Sequence, residues 1–433
     1  MSATGVSLDV ARELRAICGD DHVVERSSVA PQYSAIKVDI RPGSAEEVAA
    51  VLKVANERGL SVAPAGGFTE IEPRELRADV VLHTSRLTLV EHYDHADLTV
   101  GVGAGMTVAH LNALVEADKL MFASDPPLPE HCTVGGLLAT ASHGPLRHGY
   151  GAVRDYCIGV RFVTGDGRRA KGGGRVVKNV AGYDLMKLLI GSYGTLAVIT
   201  SASFKLFPAP RQTRTFIAEF ATAAEALKFR DGVMRSPLSP MCLELVSPGA
   251  RKLMRPEMTA DAWVMCVRAA GSDSVLARYR KELGSAITRQ LEGDPESRMW
   301  KAIQDFPIPD ELKKEASLTH IAPRANVTVP LNRVADVIET VNQYAKPGWM
   351  GVGMVGRVGA GHVLATIWPE DPETGIYHDA FGEFLRDRLS NIGGLTVANL
   401  ANPWCGEPPN LASMRAVKHA LDPNNVLRGR SLV

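Results

Sequence analysis

The sequence predicts an α+β protein with more than one domain. Its 433 residues correspond to roughly two to three domains of ~150 residues each. Short strand-like runs alternate with amphipathic helical patterns in the first half of the chain, which is typical of mixed helix and sheet structure. From Arg211 onward the glycine density falls, and the preceding FPAP sequence favours a domain boundary near Pro208–Pro210.

The composition excludes several classes of function. The 48 Lys and Arg residues balance the 48 Asp and Glu residues, which argues against a protein that neutralises nucleic-acid phosphates. With 45% hydrophobic and 22% charged residues, the chain is neither disordered nor fibrous. The N-terminus carries charges where a secretory signal would be apolar, and no run reaches the ~18 apolar residues of a spanning helix. We therefore expect a cytoplasmic protein that reaches the inner membrane only through a complex.

The six cysteines follow no metal-binding pattern. They include no C-x-x-C pair and no Cys/His cluster at zinc spacing, so neither a zinc site nor an iron–sulfur cluster is predicted in this chain. We expect ordinary buried thiols of a reducing compartment, and no metal.

Capping signals define the first clear helix, over residues 44–58. Its apolar residues form one helical stripe, Ser44 is the N-cap, Glu47 follows three residues later, and Gly59 ends the helix. The next predicted elements are a strand at 60–65, an apolar run at 79–84, two strands around a polar turn within 87–105, and an amphipathic helix at 107–117.

The second half of the chain mixes helical and strand patterns. The predicted elements are a helix at 223–234, strands at 262–269, 325–330 and 362–368, and a last helix at 411–421. Asp422-Pro423 ends that last helix, and an extended tail follows.

Two glycine patterns resemble dinucleotide-binding motifs only weakly. Gly101, Gly103 and Gly105 follow a strand and precede a helix, but their spacing is G-x-G-x-G and no acidic residue follows at the expected distance. Residues 351–356 match G-x-G-x-x-G, but the next segment reads as a strand, so the positive end of a helix dipole is missing. We interpret both as turn glycines.

A stronger signal comes from glycine-rich segments in a fixed order. Glycine permits close approach of main-chain N–H groups to a phosphate, because it has no Cβ. The segments are PAGGFT at 64–69, PPLPEHCTVGGLLATASHG at 126–144, YGAVRD at 150–155, KNVAGYDL at 178–185 and GSYGTLAVIT at 191–200.

Together these segments resemble the FAD-binding domain of the vanillyl-alcohol oxidase and p-cresol methylhydroxylase superfamily. The nearest resemblance within it is to the FAD-binding subunit of bacterial glycolate oxidase. It is dense from Tyr33 to Pro208 and weak at residues 422–427. The resemblance implies a PCMH-type FAD-binding domain of two α/β subdomains over 1–209. It further implies a smaller α+β cap domain over 210–400 and a C-terminal segment, 401–433, that returns to the FAD domain.

The resemblance also implies which residues hold FAD. The 66–69 turn would present main-chain N–H groups to the diphosphate, and Ser142 would supply a hydroxyl. The full implied set is Ala65, Gly66, Gly67, Phe68, Thr69, Pro126, Thr133, Val134, Gly135, Gly136, Ala139, Thr140, Ser142, His143, Gly144, Gly182, Gly194 and Ile199. Some of these glycines could equally be plain turn residues.

Departures from the family pattern bear on how the flavin is attached. Phe68 stands where the family usually has a glycine, so the loop must accommodate a ring. The turn contains no histidine, which removes the usual covalent attachment point, and Cys132 is interpreted as a small packing residue. We therefore expect noncovalent FAD.

The catalytic residues stay open. Catalytic relatives often carry H-x-G-D-G-N-x-H, whose histidines bind a divalent metal, whereas this chain has Arg357, Ala360 and His362 at the first, fourth and sixth positions. Arginine cannot serve as a metal ligand. Arg357 and His362 are candidates for an anion-holding pair or a structural pair, and Arg324 is a further weak candidate.

The degraded metal motif favours an accessory flavin subunit. The resemblance implies that this subunit takes part in 2-hydroxy acid oxidation, with glycolate or D-lactate as substrate. The resemblance implies two partners, a catalytic flavoprotein subunit and an iron–sulfur subunit. Two alternatives remain. One is an independent FAD-dependent oxidase or dehydrogenase of a small hydroxy acid, alcohol or sugar acid, and the other is a noncatalytic subunit that holds FAD for assembly.

One stretch is rich in basic residues. Between positions 161 and 178, six cations accompany one acidic residue, Asp166; they are Arg161, Arg168, Arg169, Lys171, Arg175 and Lys178. The stretch is either a solvated loop or a docking surface for an acidic partner.

Overall fold

A computed structural model describes residues 8–25, 36–70, 76–175, 184–254, 261–308, 324–346, 348–369, 378–389 and 410–429. The chain divides into two compact units. Unit 1 comprises residues 1–142, 152–209 and 409–433, and unit 2 comprises residues 143–151 and 210–408.

The helices in the described ranges are α1 (Leu8–Cys18), α2 (Ala45–Arg58), α3 (Val108–Glu116), α4 (Val134–Thr140), α5 (Arg147–Tyr150), α6 (Val153–Tyr156), α7 (Leu185–Leu189), α8 (Ala223–Arg235), α9 (Pro248–Met254), α10 (Asp273–Leu283), α11 (Gly293–Asp305), α12 (Val334–Tyr344), α13 (His378–Leu389) and α14 (Leu411–Leu421). None of them combines the length and the apolar character needed to span a bilayer.

The strands in the same ranges are β1 (Val23–Glu25), β2 (Val38–Ile40), β3 (Val62–Ala65), β4 (Val80–His83), β5 (Val90–Asp94), β6 (Thr99–Gly103), β7 (Leu120–Met121), β8 (Cys157–Thr164), β9 (Arg169–Gly173), β10 (Ala197–Lys205), β11 (Phe207–Pro208), β12 (Thr213–Phe220), β13 (Cys242–Val246), β14 (Trp263–Ala270), β15 (Ile287–Leu291), β16 (Arg324–Thr328), β17 (Met350–Arg357) and β18 (His362–Pro369).

Unit 1 contains two main sheets. One has the described strand order β1-β2-β4-β3, in which β4 runs parallel to both β2 and β3 and β1 is an antiparallel edge. The other is antiparallel, with the described order β5-β6-β10-β8-β9. Each sheet has its own apolar core: α1 and α2 pack on the first, and α3 and α4 contribute to the second. The mixed helix and sheet class predicted from the sequence is confirmed.

Local capping explains where the helices begin and end. The Ser44 hydroxyl accepts a hydrogen bond from the N–H of Glu47 at 3.1 Å, and Gly59 adopts φ +65°, which ends α2 at Arg58. The helix predicted at 44–58 is therefore confirmed. The helices predicted at 107–117, 223–234 and 411–421 appear as α3, α8 and α14.

The C-terminal tail is held in unit 1 by a buried acid. Asp422 is 1% exposed, and its carboxylate accepts the N–H groups of Val426 and Leu427 at 2.8 Å each. It also pairs with Lys418, whose ammonium group donates to the carbonyls of Thr195 and Leu427. The tail also pairs with β3, because Val62 donates its N–H to the Val426 carbonyl and accepts the N–H of Arg428 at its own carbonyl.

Unit 2 is built on an antiparallel sheet with the described strand order β15-β12-β14-β13-β17-β18-β16. One face of this sheet is apolar and packs against α8, α10, α12 and α13. Because side chains alternate along a strand, the other face carries a different set. We call it the polar face, and its buried polar residues are Thr215, Glu244, Arg357, His362 and Thr366.

Residues 143–151 belong to unit 2, although the sequence places them within the segment 1–209. Close packing explains the difference. A Cβ on Gly149 would lie 2.8 Å from the Met241 carbonyl oxygen, and one on Gly359 would lie 2.3 Å from the His148 ring. This segment therefore packs directly against β13 and the β17–β18 hairpin.

The five described cysteines, Cys18, Cys132, Cys157, Cys242 and Cys266, are free and buried, as expected. Burial raises the pKa of Cys157 to about 12, so this thiol stays protonated at physiological pH. Cys405 lies outside the described residues.

Removal of the Asp422 carboxylate should destabilise unit 1. We expect Asp422→Ala to lower the free energy of unfolding by roughly 3 kcal/mol, because Lys418 then stays largely buried without its carboxylate and two N–H groups lose their acceptor. Urea unfolding measures the effect. Asp9→Ala, an exposed acid 3.9 Å from Arg12, is the control and should change the midpoint little. Equal effects for the two variants would contradict this role.

Candidate functional site

A cleft of unit 1 lies between the loop after β3 and the start of α4. It is open to solvent, and its empty volume is about 720 Å³ when the adjoining solvent space is included. Its lining residues are Pro64, Ala65, Gly66, Gly67, Phe68, Thr69, Glu70, Leu76, Thr84, Thr133, Gly135, Gly136, Ala139, Thr140, Tyr193, Gly194, Ala197, Val198 and Ile199. No lysine or arginine is among these described residues, so main-chain dipoles are the principal source of positive potential in the cleft.

The loop 66–68 presents main-chain donors to the cleft. Among the described residues, none accepts a hydrogen bond from the N–H groups of Gly66, Gly67 or Phe68. Buried or half-buried N–H groups normally find an acceptor. Three consecutive donors without a protein partner therefore fit an anionic ligand such as a diphosphate.

The two loop glycines are required by close packing. A Cβ on Gly66 would lie 2.2 Å from the Thr133 hydroxyl oxygen, and one on Gly67 would lie 1.7 Å from the His131 carbonyl oxygen. Any larger residue would push the loop away from the start of α4. The missing Cβ atoms therefore set the position of the N–H groups.

Phe68 replaces the expected glycine without changing the backbone conformation. Its φ is +54°, in the left-handed region that glycine favours. The ring packs edge-on to His83, with ring centroids 5.8 Å apart, and against the apolar cluster beneath the loop. Packing of the ring thus offsets part of the backbone strain.

Thr133 begins α4 and anchors the loop. Its hydroxyl accepts the N–H of Gly136 at 3.1 Å as the N-cap. Gly135 donates to the Ala104 carbonyl at 2.7 Å, and the Thr140 hydroxyl donates to the Gly136 carbonyl at 2.8 Å. Both glycines of the TVGG motif therefore lie where the helix approaches its neighbours closely.

The structure brings together most of the residues that the resemblance implies. In the cleft lie Ala65, Gly66, Gly67, Phe68, Thr69, Thr133, Gly135, Gly136, Ala139, Thr140, Gly194 and Ile199. Pro126 and Val134 are buried away from its lining, and Ser142 is also absent from it. His143 and Gly144 belong to unit 2, and Gly182 lies outside the described residues.

Ser142 is engaged by the protein itself. Its hydroxyl donates to the Glu70 carboxylate at 2.5 Å. Glu70 also lines the cleft. It directly follows the glycine turn, and no motif in the sequence marked it as a site residue. The pair links the loop to the C-terminal end of α4.

The polar face of unit 2 gathers the weak catalytic candidates. Arg357 and His362 are direct cross-strand partners in the β17–β18 hairpin and are 2% and 4% exposed. His362 Nδ1 lies 2.8 Å from the Thr328 hydroxyl on β16. Arg324 is in β16, four residues before Thr328, and nothing further is described for it.

Two residues that sequence reasoning gave other roles, or none, join this cluster. The His143 ring lies 4.4 Å from the His362 ring, centroid to centroid. Arg147 acts electrostatically on both imidazoles. Burial lowers the pKa of His362 to about 3, and the positive charges of Arg147 and Arg357 contribute to this shift. Burial also lowers the pKa of His143, and the charge of Arg357 is the second largest cause. Both rings are therefore neutral at physiological pH.

Carboxylates pair with three of the six cations of the basic stretch, and Lys178 lies outside the described residues. Arg161 pairs with Glu91 at 2.6 Å, Arg168 with Asp166 at 2.7 Å, and Arg169 with Glu46. Glu91 and Glu46 are far away in sequence, so composition alone overstates the positive charge of this surface. The docking surface stays a prediction.

The fold and the cleft fit a protein that holds a nucleotide-type cofactor with main-chain amides. Residues 36–173 match the family described as FAD binding domain, and residues 209–399 match the family described as FAD linked oxidases, C-terminal domain. The chain therefore contains an FAD-binding domain and the C-terminal domain of FAD-linked oxidases. It is an FAD-dependent oxidoreductase, and the free N–H groups of the loop 66–68 fit the cofactor's diphosphate.

Relatives are similar over nearly the whole chain. A D-lactate dehydrogenase of Archaeoglobus fulgidus is 29% identical over 94% of this chain and 93% of its own length. Glycolate oxidase subunit GlcD of Bacillus subtilis is 25% identical over 98% and 96%. Glycolate oxidase subunit GlcE of Escherichia coli is 35% identical, but over 35% of this chain and 44% of its own.

Solved structures share the fold. p-Cresol methylhydroxylase with bound substrate has a TM-score of 0.74 at 17% identity and covers 98% of this chain and 96% of its own. An alkyldihydroxyacetonephosphate synthase also has a TM-score of 0.74, at 18% identity, covering 100% and 87%. The PCMH-type fold expected from the sequence is confirmed.

Adding one methyl group to the loop should abolish tight FAD binding. We expect Gly67→Ala to weaken FAD binding on the order of 100-fold, because the new Cβ displaces the N–H groups from the cleft. Equilibrium dialysis of FAD against apoprotein measures the affinity. Gly232→Ala, where a Cβ meets nothing within 4 Å, is the matched control. Unchanged affinity in Gly67→Ala would show that this loop does not hold the cofactor.

The neutral imidazoles should make the protein sensitive to acid. Folding lowers the pKa of His362 from 6.5 to about 3, so the unfolded chain takes up this proton at a higher pH than the folded chain. The free energy of unfolding therefore declines as the pH drops below 6.5. One such group contributes at most about 1.4 kcal/mol per pH unit. Urea unfolding between pH 6.5 and 5 should show a shallower decline for His362→Asn than for the wild type. Exposed His419→Asn should keep the wild-type slope; a similar slope in all three proteins would refute the buried neutral state.

Proposed function

We propose that this chain is an FAD-dependent oxidoreductase subunit that takes part in oxidising a small 2-hydroxy acid, glycolate or D-lactate, and passes the electrons to a partner. The observation that carries the proposal is near-full-length similarity to a D-lactate dehydrogenase and to glycolate oxidase subunit GlcD. Lactate and glycolate share one chemical group, a carboxylate beside a carbon that bears a hydroxyl group. The substrate site must recognise this group.

Unit 1 is the proposed FAD-binding domain, and unit 2 the proposed substrate domain. The loop 66–68 would hold the diphosphate with main-chain N–H groups, and FAD, when bound, supplies the acceptor for two electrons and the hydrogen that leaves the hydroxyl-bearing carbon. Noncovalent attachment is supported by the loop itself, which contains neither histidine nor cysteine. Cys132 is 1% exposed, and its thiol donates to the Thr133 carbonyl.

In unit 2, the proposed task of the polar face is to hold and orient the substrate. A guanidinium group cannot ligate a metal, so Arg357 acts through charge and hydrogen bonds. In the described part of the chain, no three His, Cys, Asp or Glu side chains come together as metal ligands. The buried Nε and Nη2 donors of Arg357 support recognition of the substrate by hydrogen bonds.

Partner subunits are proposed on the likeness to GlcD and GlcE, both of which are named as subunits of glycolate oxidase. The proposed partners are a catalytic flavoprotein subunit and an iron–sulfur subunit. This chain carries no cysteine pattern for a cluster of its own, so one-electron carriers would come from the partner.

A second candidate is an independent FAD-dependent dehydrogenase. It is favoured by the extent of the matches, because the D-lactate dehydrogenase aligns over 94% of this chain whereas GlcE aligns over 35%. In this case the same site would oxidise its substrate without another flavoprotein.

Anaerobic flavin reduction distinguishes the candidates. With glycolate or D-lactate, the purified chain should lose its visible flavin absorbance slowly or not at all alone, and rapidly when co-purified with its partners. Rapid bleaching by the chain alone would establish the independent dehydrogenase. Absence of bleaching in both preparations with every 2-hydroxy acid would contradict the proposed substrate class.

A further inference from the structure

The polar face holds a cross-strand row of unlike groups, Arg357, His362 and Thr328, on three adjacent strands. Continuing the β13–β17 register by one residue places Glu244 on the other side of Arg357. We propose that Arg357, with the imidazoles of His143 and His362, forms a buried binding site for the carboxylate of a small 2-hydroxy acid. This proposal rests on the proposed function and assigns its substrate-anchoring residues.

One edge of the Arg357 guanidinium group has hydrogen-bond donors without acceptors among the described residues. Its Nε and Nη2 atoms are buried, and neither has a hydrogen-bond acceptor among the described residues. These two nitrogens form the side of the guanidinium group from which two parallel N–H bonds point at one ligand. A carboxylate matches this edge in a bidentate arrangement. A buried charge with two open donors is costly unless a ligand satisfies it.

The neighbouring imidazoles add open nitrogen atoms to the cluster. His362 Nε2 and His143 Nδ1 are buried and also lack partners among the described residues. If the Thr328 hydroxyl donates to His362 Nδ1, the proton of the neutral ring lies on the open Nε2. The open positions can thus act as donors, which suits a ligand that only accepts.

The surrounding charges favour a monoanion. Arg147 lies close enough to lower the pKa of both imidazoles, whereas Glu244 is fully buried on the adjacent strand. His148, whose pKa is lowered by burial, packs on Gly359 in the hairpin loop and stays neutral. Glu244 on the adjacent strand disfavours a ligand with two negative charges, while Arg357 supplies a buried positive charge beside the open imidazole nitrogens. One carboxylate neutralises that charge.

The open nitrogen atoms lie close to one another. They come from three side chains, of which Arg357 and His362 are cross-strand partners, and the His143 and His362 ring centroids lie 4.4 Å apart. Rings in contact keep their open nitrogens within reach of one small anion. A hydroxyl on the adjacent carbon can use an imidazole nitrogen that the carboxylate leaves free.

Calorimetry with a redox-inert acid tests the site without requiring turnover. The probe is 2-hydroxyisobutyrate, a 2-hydroxy acid with no hydrogen on C2, titrated into the FAD-loaded wild-type protein. We expect one binding site per chain. The uncharged amide of the same acid should bind at least ~10-fold more weakly, because it lacks the bidentate anion.

Two substitutions at Arg357 separate charge from geometry. Arg357→Lys keeps the charge but loses the paired N–H edge, and should weaken binding of the acid ~10-fold or more; Arg357→Met should abolish it. The matched control is Arg268→Lys on the same face, where the guanidinium is already bonded to Glu296 at 3.2 Å. Its affinity for the acid should stay within about twofold of wild type.

Each outcome decides the proposal. Absence of binding to wild type, equal affinity for acid and amide, or unchanged affinity in folded Arg357→Lys would overturn it. If neither Arg357 variant folds, as judged by FAD retention and circular dichroism, the comparison of acid with amide decides. Because the probe cannot be oxidised, binding that depends on Arg357 would support the site even if glycolate and D-lactate failed to bleach the flavin.

Discussion

The structure of the cofactor cleft depends on how closely the backbone after β3 can approach the start of α4. Gly66 and Gly67 pack directly against the Thr133 hydroxyl and the His131 carbonyl, where no Cβ fits. This contact fixes three N–H groups at the cleft, and no described residue accepts a hydrogen bond from them. Main-chain donors cannot rotate away as side chains can, so they are preorganised for a phosphate. Phe68 shows that the loop tolerates a side chain where the ring points into an apolar cluster.

The two units differ in the source of the positive potential that they offer to a ligand. The cleft of unit 1 has no lysine or arginine in its described lining, and its acid, Glu70, is hydrogen-bonded to Ser142. The polar face of unit 2 instead buries Arg357 with open donor atoms beside neutral imidazoles. A dinucleotide with two phosphates suits many weak dipoles distributed along a loop, whereas a small carboxylate suits one strong bidentate donor.

Local features were predictable from the sequence, and long-range ones were not. Ser44 and Gly59 specify both ends of α2 because capping chemistry acts within a few residues. The strand after residues 351–356 was also predictable, because its residue pattern lies within one short segment. By contrast, His143 meets His362 through packing between segments more than 200 residues apart, and Arg169 meets Glu46 in the same way. Such contacts depend on sheet register and on packing within each unit, and neither can be deduced from a single sequence.

The most direct test of the account compares FAD with riboflavin, which carries the same ring system but neither phosphate. If the N–H groups of the loop 66–68 hold the diphosphate, equilibrium dialysis of the apoprotein should give FAD an affinity on the order of 100-fold or more above that of riboflavin, as expected from several charge-assisted hydrogen bonds. Equal affinities for the two flavins, or no detectable binding of FAD to folded apoprotein, would contradict it.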